Sequence, residues 1–233
     1  MINLLVAGNV ITDAMIQHNL RHFEGVWSDV GMAVVNGGGI RSSMNIGNIT
    51  TENVIFVQPF RNEVDIVEVT GQTLLDVFEY CASRWINSTD SGFGGFLQVS
   101  GMRVTYNMDR PVGQRVHELL VTCTQCDIPR LENVQVDKHY KILAITFMVK
   151  GGDGYDVLKS NIIKRIPLGD LDTDILISYL KKFSPITTGL QDRIRFESNV
   201  TEAFVSNIAT IQSVYSPALI LFISFISSIM LLY

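Results

Sequence analysis

The sequence predicts an α+β domain in which helices cover a mixed sheet. Two observations carry this. Apolar residues recur at helical spacing in three separate places: Ala7, Val10, Ile11, Ala14 and Met15; Leu74, Val77, Phe78, Cys81 and Trp85; and residues 174–183. Strand-like runs dominate between the second and third of these, with alternation clearest in Met102-Arg103-Val104-Thr105-Tyr106. With 233 residues, 47% of them apolar, the chain has ample material for a buried core.

The first helix buries the Ala7 to Met15 face and is expected to end near Arg21-His22, leaving His18 and His22 as solvated surface histidines. Met32 to Val35 is a short apolar strand that delivers the chain into Gly37-Gly38-Gly39. That places Asn36 and Arg41 at a strand's carboxyl end, where α/β proteins commonly hold ligands. Thr50-Thr51-Glu52-Asn53 reads as a helix start, and Pro59 ends that helix or pins the turn before Phe60. Val64 to Thr70 is a strand, after which Thr70 caps the helix that carries Leu74 to Trp85 inward. Ser88 to Gly95 is a polar, glycine-rich loop. Strands are expected over Phe96 to Tyr106, Val116 to Thr122 and Lys141 to Thr146, then a helix over Asp174 to Phe183 and a closing strand around Arg193 to Phe196.

Lys and Arg total 18 against 23 Asp and Glu, a formal charge of -5. No basic run interleaves with aromatic residues, which argues against a polymeric nucleic acid as partner. Cys123-Thr-Gln-Cys126 admits a short-loop disulfide, a redox pair or half of a zinc site. A strand turning into a loop favours the disulfide, because a redox pair usually opens a helix and no second ligand pair is present for zinc. Cys81 reads as a buried thiol. Asn-X-Ser/Thr sequons occur at Asn48, Asn87 and Asn199, each in an expected loop.

Ala218 to Tyr233 carries no charge. As a helix it would span about 24 Å, short of the ~30 Å hydrocarbon core of a bilayer. Small residues and a polar spacer precede it, the arrangement of a glycosylphosphatidylinositol signal, with Asn207 the first choice of attachment residue and Ser206 the second. A tail-anchored helix and a C-terminal core element are the alternatives. The start, Met1-Ile-Asn-Leu-Leu-Val-Ala-Gly8, lacks the basic region of a secretory signal, so residues are expected to be missing before Met1.

The chemistry-bearing residues suggest a nucleotide pocket. Glycines at 37–39 let backbone approach a ligand, and Arg41 beside their amides suits a phosphate. Asp153, in the turn Gly151-Gly152-Asp153-Gly154, is a lone carboxylate suited to ribose hydroxyls. Phe60 and Phe147 are core residues by default, but a Pro-Phe turn followed by Arg-Asn-Glu tends to expose the ring, and two exposed rings can sandwich a base. No group in the chain stands out as an activator of water.

Five motifs occur in order: Asn36-Gly-Gly-Gly-Ile-Arg41, Gln58-Pro-Phe60, Phe96-Leu-Gln-Val-Ser-Gly101, Cys123-Thr-Gln-Cys126 and Gly151-Gly-Asp-Gly154. Together they resemble the C-terminal domain of the 5'-nucleotidase family, particularly the membrane-anchored ecto-5'-nucleotidases and related apyrases. The likeness runs from about Gly8 to Phe196 and extends to the tail. It implies a layered α/β/β/α nucleotide-binding domain over residues 1–197, an anchor-attachment linker over 198–217 and a cleaved hydrophobic tail over 218–233. By the same resemblance Asn36 bonds the base, Phe60 and Phe147 sandwich it, Asp153 holds the ribose hydroxyls and Arg41 contacts the phosphate or ribose side. A further family arginine before the Gly8-Asn9 motif has no counterpart in Met1 to Ala7. The family's two zinc-type metals and catalytic His-Asp pair belong to a separate N-terminal metallophosphoesterase domain, whose Asp-x-His, Gly-Asn-His and Gly-His-x-His motifs do not occur in this sequence. The implied partners are a nucleoside or its monophosphate, the outer membrane face through a lipid anchor, and a second copy of the domain. The reading is therefore the substrate-binding half of a truncated 5'-nucleotidase or apyrase acting on extracellular nucleotides such as AMP. The alternative is a membrane-tethered binding module without catalysis.

Overall fold

The computed structural model describes residues 2–20, 28–85 and 93–198. Along the chain these form α1 (Ile2–Asn19), β1 (Ala33–Asn36), α2 (Thr51–Val57), β2 (Glu63–Thr70), α3 (Gly71–Ser83), β3 (Leu97–Ser100), β4 (Met102–Asn107), β5 (Val116–Thr122), β6 (Leu131–Asn133), β7 (His139–Ile145), α4 (Thr146–Val149), α5 (Asp156–Ser160), β8 (Lys164–Leu171), α6 (Asp172–Phe183) and β9 (Ile194–Glu197). The fold is mixed α/β with two sheets. One runs β3-β1-β7-β2-β8 and the other β6-β5-β4-β9. In the first, β1 lies parallel to β7 and the remaining pairs are antiparallel. The antiparallel β2–β7 ladder extends from Val64–Ile145 to Thr70–His139.

The local signals explain most of these elements. Thr50 accepts a hydrogen bond from the Asn53 amide, and the Asn53 side chain accepts one from the Thr50 amide, a reciprocal cap that fixes the start of α2. Thr70 accepts from the Thr73 amide in the same way at α3, which turns Leu74, Val77, Phe78 and Cys81 into the core. Burial pushes the Cys81 thiol up to about 11, consistent with a buried, unreactive thiol.

The structure corrects two expectations and adds a strand that the sequence reading does not place. The run from Phe96 to Tyr106 is two strands in different sheets, because the chain turns a corner at Gly101. Its φ is +69°, and a Cβ there would lie 1.7 Å from the Gly31 carbonyl oxygen, so only glycine fits. Secondly, β8 is a strand that the sequence does not announce. It carries Pro167 and Gly169 and, among the described residues, pairs on one side alone, with β2, as suits an edge strand. Thirdly, His18 is not simply solvated: its Nε2 lies 2.9 Å from Asp170 Oδ2, which fastens α1 to β8. His22 lies outside the described residues.

The end of the domain is fastened to its beginning. Arg193 donates to Asp13 Oδ2 at 2.8 Å and to the Val99 carbonyl at 2.9 Å, while Ser100 donates to the other Asp13 oxygen at 2.6 Å. Phe196 adds ring contacts to Trp85, Phe96 and Tyr106. In the first sheet, Asp65 is fully buried on β2 and its side chain receives a bond from Arg165 Nε of β8 at 2.8 Å.

Candidate functional site

The parallel pairing of β1 with β7 brings two carboxyl ends together. Val34 sits opposite Ala144, so β1 ends at Asn36 beside the point where β7 passes into Thr146 and Phe147. Asn36 is 4% exposed, and its Nδ2 donates to Asp153 Oδ2 at 2.7 Å. An ionised carboxylate only accepts hydrogen bonds, so this contact fixes which end of the amide faces Asp153. Two residues separated by more than a hundred positions are thereby joined, with Asn36 orienting Asp153.

The glycine-rich turn gives Asp153 its pose. Gly151, Asp153 and Gly154 have φ of 89°, 55° and 83°, so Asp153 occupies the left-handed region that aspartate tolerates better than most residues. Its carbonyl accepts from the Tyr80 hydroxyl at 2.8 Å. A Cβ on Gly152 would come within 2.5 Å of the Phe147 ring, so the bare backbone there lets the ring lie directly on the turn. Phe147 is 41% exposed and Phe60 is 60% exposed, so neither ring belongs to the core. Arg41 is exposed as well, with Nη1 3.5 Å from the Gly38 carbonyl.

The role expected of Gly37 and Gly38 changes. The Gly37 amide donates to the Phe96 carbonyl at 2.7 Å and the Gly38 amide donates to the Gly94 carbonyl. Those amides are committed to the protein and do not form an open anion cradle. The run instead packs against residues 94–96, whose Gly95 carbonyl is held by the buried Tyr155 hydroxyl at 2.6 Å. Burial pushes the Tyr155 hydroxyl well above its ordinary range, so it remains a donor. Tyr80 and Tyr155, 4.9 Å apart edge to face, are supporting residues that the sequence alone does not reveal. Tyr155 follows the Gly151–Gly154 turn directly, which is a usable signal; nothing in the sequence marks Tyr80.

Elsewhere, Cys123 and Cys126 are joined as a disulfide in the loop between β5 and β6. Asn48 is exposed, whereas Asn87, Asn199, Ser206, Asn207 and the tail lie outside the described residues. No helix among the described residues is long and apolar enough to cross a membrane. Among the described residues, one group of side chains could hold a metal ion, Cys123, Cys126 and Glu132, and both sulfurs are engaged in the disulfide. That set does not fit a two-metal hydrolytic centre.

The arrangement has relatives. The family model for the 5'-nucleotidase C-terminal domain matches residues 5–160. The chain belongs to the 5'-nucleotidase family. It is 41% identical over 195 residues to a 5'-nucleotidase from Bos taurus, covering 82% of this chain and 33% of the relative. An apyrase from Tabanus yao is 38% identical over 191 residues, covering 81% and 34%. The solved structure of a 5'-nucleotidase precursor from Thermus thermophilus superposes with a TM-score of 0.72 at 32% identity, covering 82% of this chain and 35% of that one. The chain thus spans about a third of the length of the curated relatives it matches.

Proposed function

We propose that this domain binds the nucleoside part of a nucleotide, AMP being one such ligand, for a 5'-nucleotidase or apyrase. The observation that carries the reading is the Asn36 to Asp153 bond, which fixes a carboxylate in the turn whose Gly152 lies against the exposed Phe147 ring. In this reading Asp153 accepts hydrogen bonds from the ribose hydroxyls and Asn36 holds that carboxylate while its second N–H reaches the base edge. The base lies between Phe60 and Phe147, and Arg41 faces the phosphate or ribose side. The chemistry of phosphate release belongs, in the same proposal, to a metallophosphoesterase domain of a longer protein, holding two zinc-type ions that activate water. Support for that division comes from the greater length of the relatives, of which this chain covers about a third.

The test is calorimetry with adenosine and AMP. Phe147→Ala is expected to weaken both by about 1 to 3 kcal/mol, close to tenfold or more. Equal affinities for wild type and variant would remove the ring from the site.

We also propose that the protein acts at the outer cell surface, held by a glycosylphosphatidylinositol anchor attached at Asn207 or Ser206 and able to pair through this domain. The disulfide, the exposed sequon at Asn48 and the venom origin of a related 5'-nucleotidase from Naja atra support an extracellular setting. Residues from Glu197 onward, fused to a secreted reporter, are expected to give surface display that a phosphatidylinositol-specific phospholipase sheds. Retention after treatment, with a lipid-anchored control released, would identify a membrane-inserted tail instead. Sedimentation of the secreted domain checks pairing, and a monomer at every concentration would exclude it.

A further inference from the structure

The two aromatic arms spring from neighbouring strands, and a side-chain hydrogen bond joins their roots. Phe60 precedes β2 and Phe147 follows β7, the two strands pairing as far as Val64 and Ile145. Past that last pair, Thr146 Oγ1 donates to the Glu63 carbonyl at 2.7 Å. Thr146 is 8% exposed, so water is poorly placed to substitute for this bond. On the other side of the arm, the Asp172 amide donates to the Asn62 carbonyl at 2.8 Å. Beyond these two fastenings Pro59, Phe60 and Arg61 are exposed, with Arg61 at a φ of 52°. Phe147 is seated against Gly152 and is the very next residue after Thr146.

We propose that Thr146 is a positioning residue that sets the gap between the Phe60 and Phe147 rings, and with it the affinity for a planar base. The proposal rests on the stacking reading given above. A sandwiched base must touch both faces, and opening one contact by about 0.5 to 1 Å forfeits roughly a quarter to a half of its dispersion energy. Loss of the Thr146 hydroxyl leaves the Glu63 carbonyl without that donor, so the root of the Phe60 arm is held from the β8 side alone, through Asp172 and the Glu63–Leu171 pair. Asp153 is held from Asn36 and Tyr80, so the sugar side does not depend on Thr146.

The experiment measures binding of adenosine and of D-ribose 5-phosphate, which has no base, to the full chain in mild detergent. Thr146→Val, nearly isosteric, is expected to weaken adenosine about five- to tenfold and to leave ribose 5-phosphate within about twofold. Thr146→Ser keeps the hydroxyl and is expected to restore adenosine binding. If the valine variant does not fold, Thr146→Ala carries the same expectation. Equal losses for both ligands, or none for either, would overturn the proposal, as would a serine variant as weak as valine. The parent reading fails separately: wild type that does not bind adenosine, or binds it undiminished by Phe147→Ala, removes the stacking site and this proposal with it. Adenosine binding that is sensitive to Phe147→Ala but not to Thr146→Val removes this proposal alone.

Discussion

Arg165→Ala is expected to lower the unfolding free energy by about 3 kcal/mol, measured as a shift of the urea midpoint with an unchanged slope. Asp65 is fully buried, and among the described residues its Oδ1 has no partner while Oδ2 depends on Arg165. Removing the arginine leaves a carboxylate in the sheet interior with neither a counter-charge nor water. Arg165 itself is 37% exposed, so the opposite truncation is milder: the freed guanidinium can turn to solvent. The double change Asp65→Asn with Arg165→Met should recover most of the loss, since replacing a buried pair by neutral groups is often close to neutral. A loss below about 1 kcal/mol for Arg165→Ala would mean that Asp65 finds another donor.

Asp153→Ala is expected to weaken adenosine binding at least about a hundredfold. Two ribose hydroxyls bonding to one carboxylate are charge-assisted contacts worth roughly 1.5 to 3 kcal/mol each. The alanine also meets a backbone penalty, because φ is 55° at this position and alanine visits the left-handed region less readily than aspartate. Asp153→Asn separates the two effects: it tolerates the same backbone and keeps one acceptor, so its loss should be intermediate. Affinity for adenosine equal to wild type in the alanine variant would exclude the ribose role.

The site is legible where one residue type answers one chemical demand. An asparagine ending a strand, a lone aspartate in a glycine turn and a phenylalanine after proline each announce themselves, and the structure exposes both rings and joins Asn36 to Asp153. What the sequence conceals is the use of main-chain groups. A glycine run looks the same whether its amides face a ligand or another loop, and only the fold brings the Phe96 and Gly94 carbonyls to Gly37 and Gly38. The capped helices are legible because their signals are local, Thr50 with Asn53 and Thr70 with Thr73. Gly101 reads as part of one strand because a single residue changing sheets leaves the alternation on either side intact. Similarly, β8 escapes notice because its pairing with β2 compensates for a proline and a glycine that argue locally against a strand. His18 looks solvated in the sequence because its partner Asp170 is 152 positions away.

The clasp between Arg193 and Asp13 bears on how the protein is made. The two residues are 180 positions apart, and a ribosome delivers the first of them long before the second. While synthesis proceeds, the Asp13 face of α1 has no guanidinium to meet, and the segment that will supply it has not yet been translated. The amino-terminal helix therefore reaches its final packing only when the chain's last described strand arrives. Folding is expected to complete after release of that segment, as one cooperative event dominated by distant contacts. A nascent chain stalled before Arg193 still lacks Phe196, and so leaves the Trp85, Phe96 and Tyr106 rings without that contact.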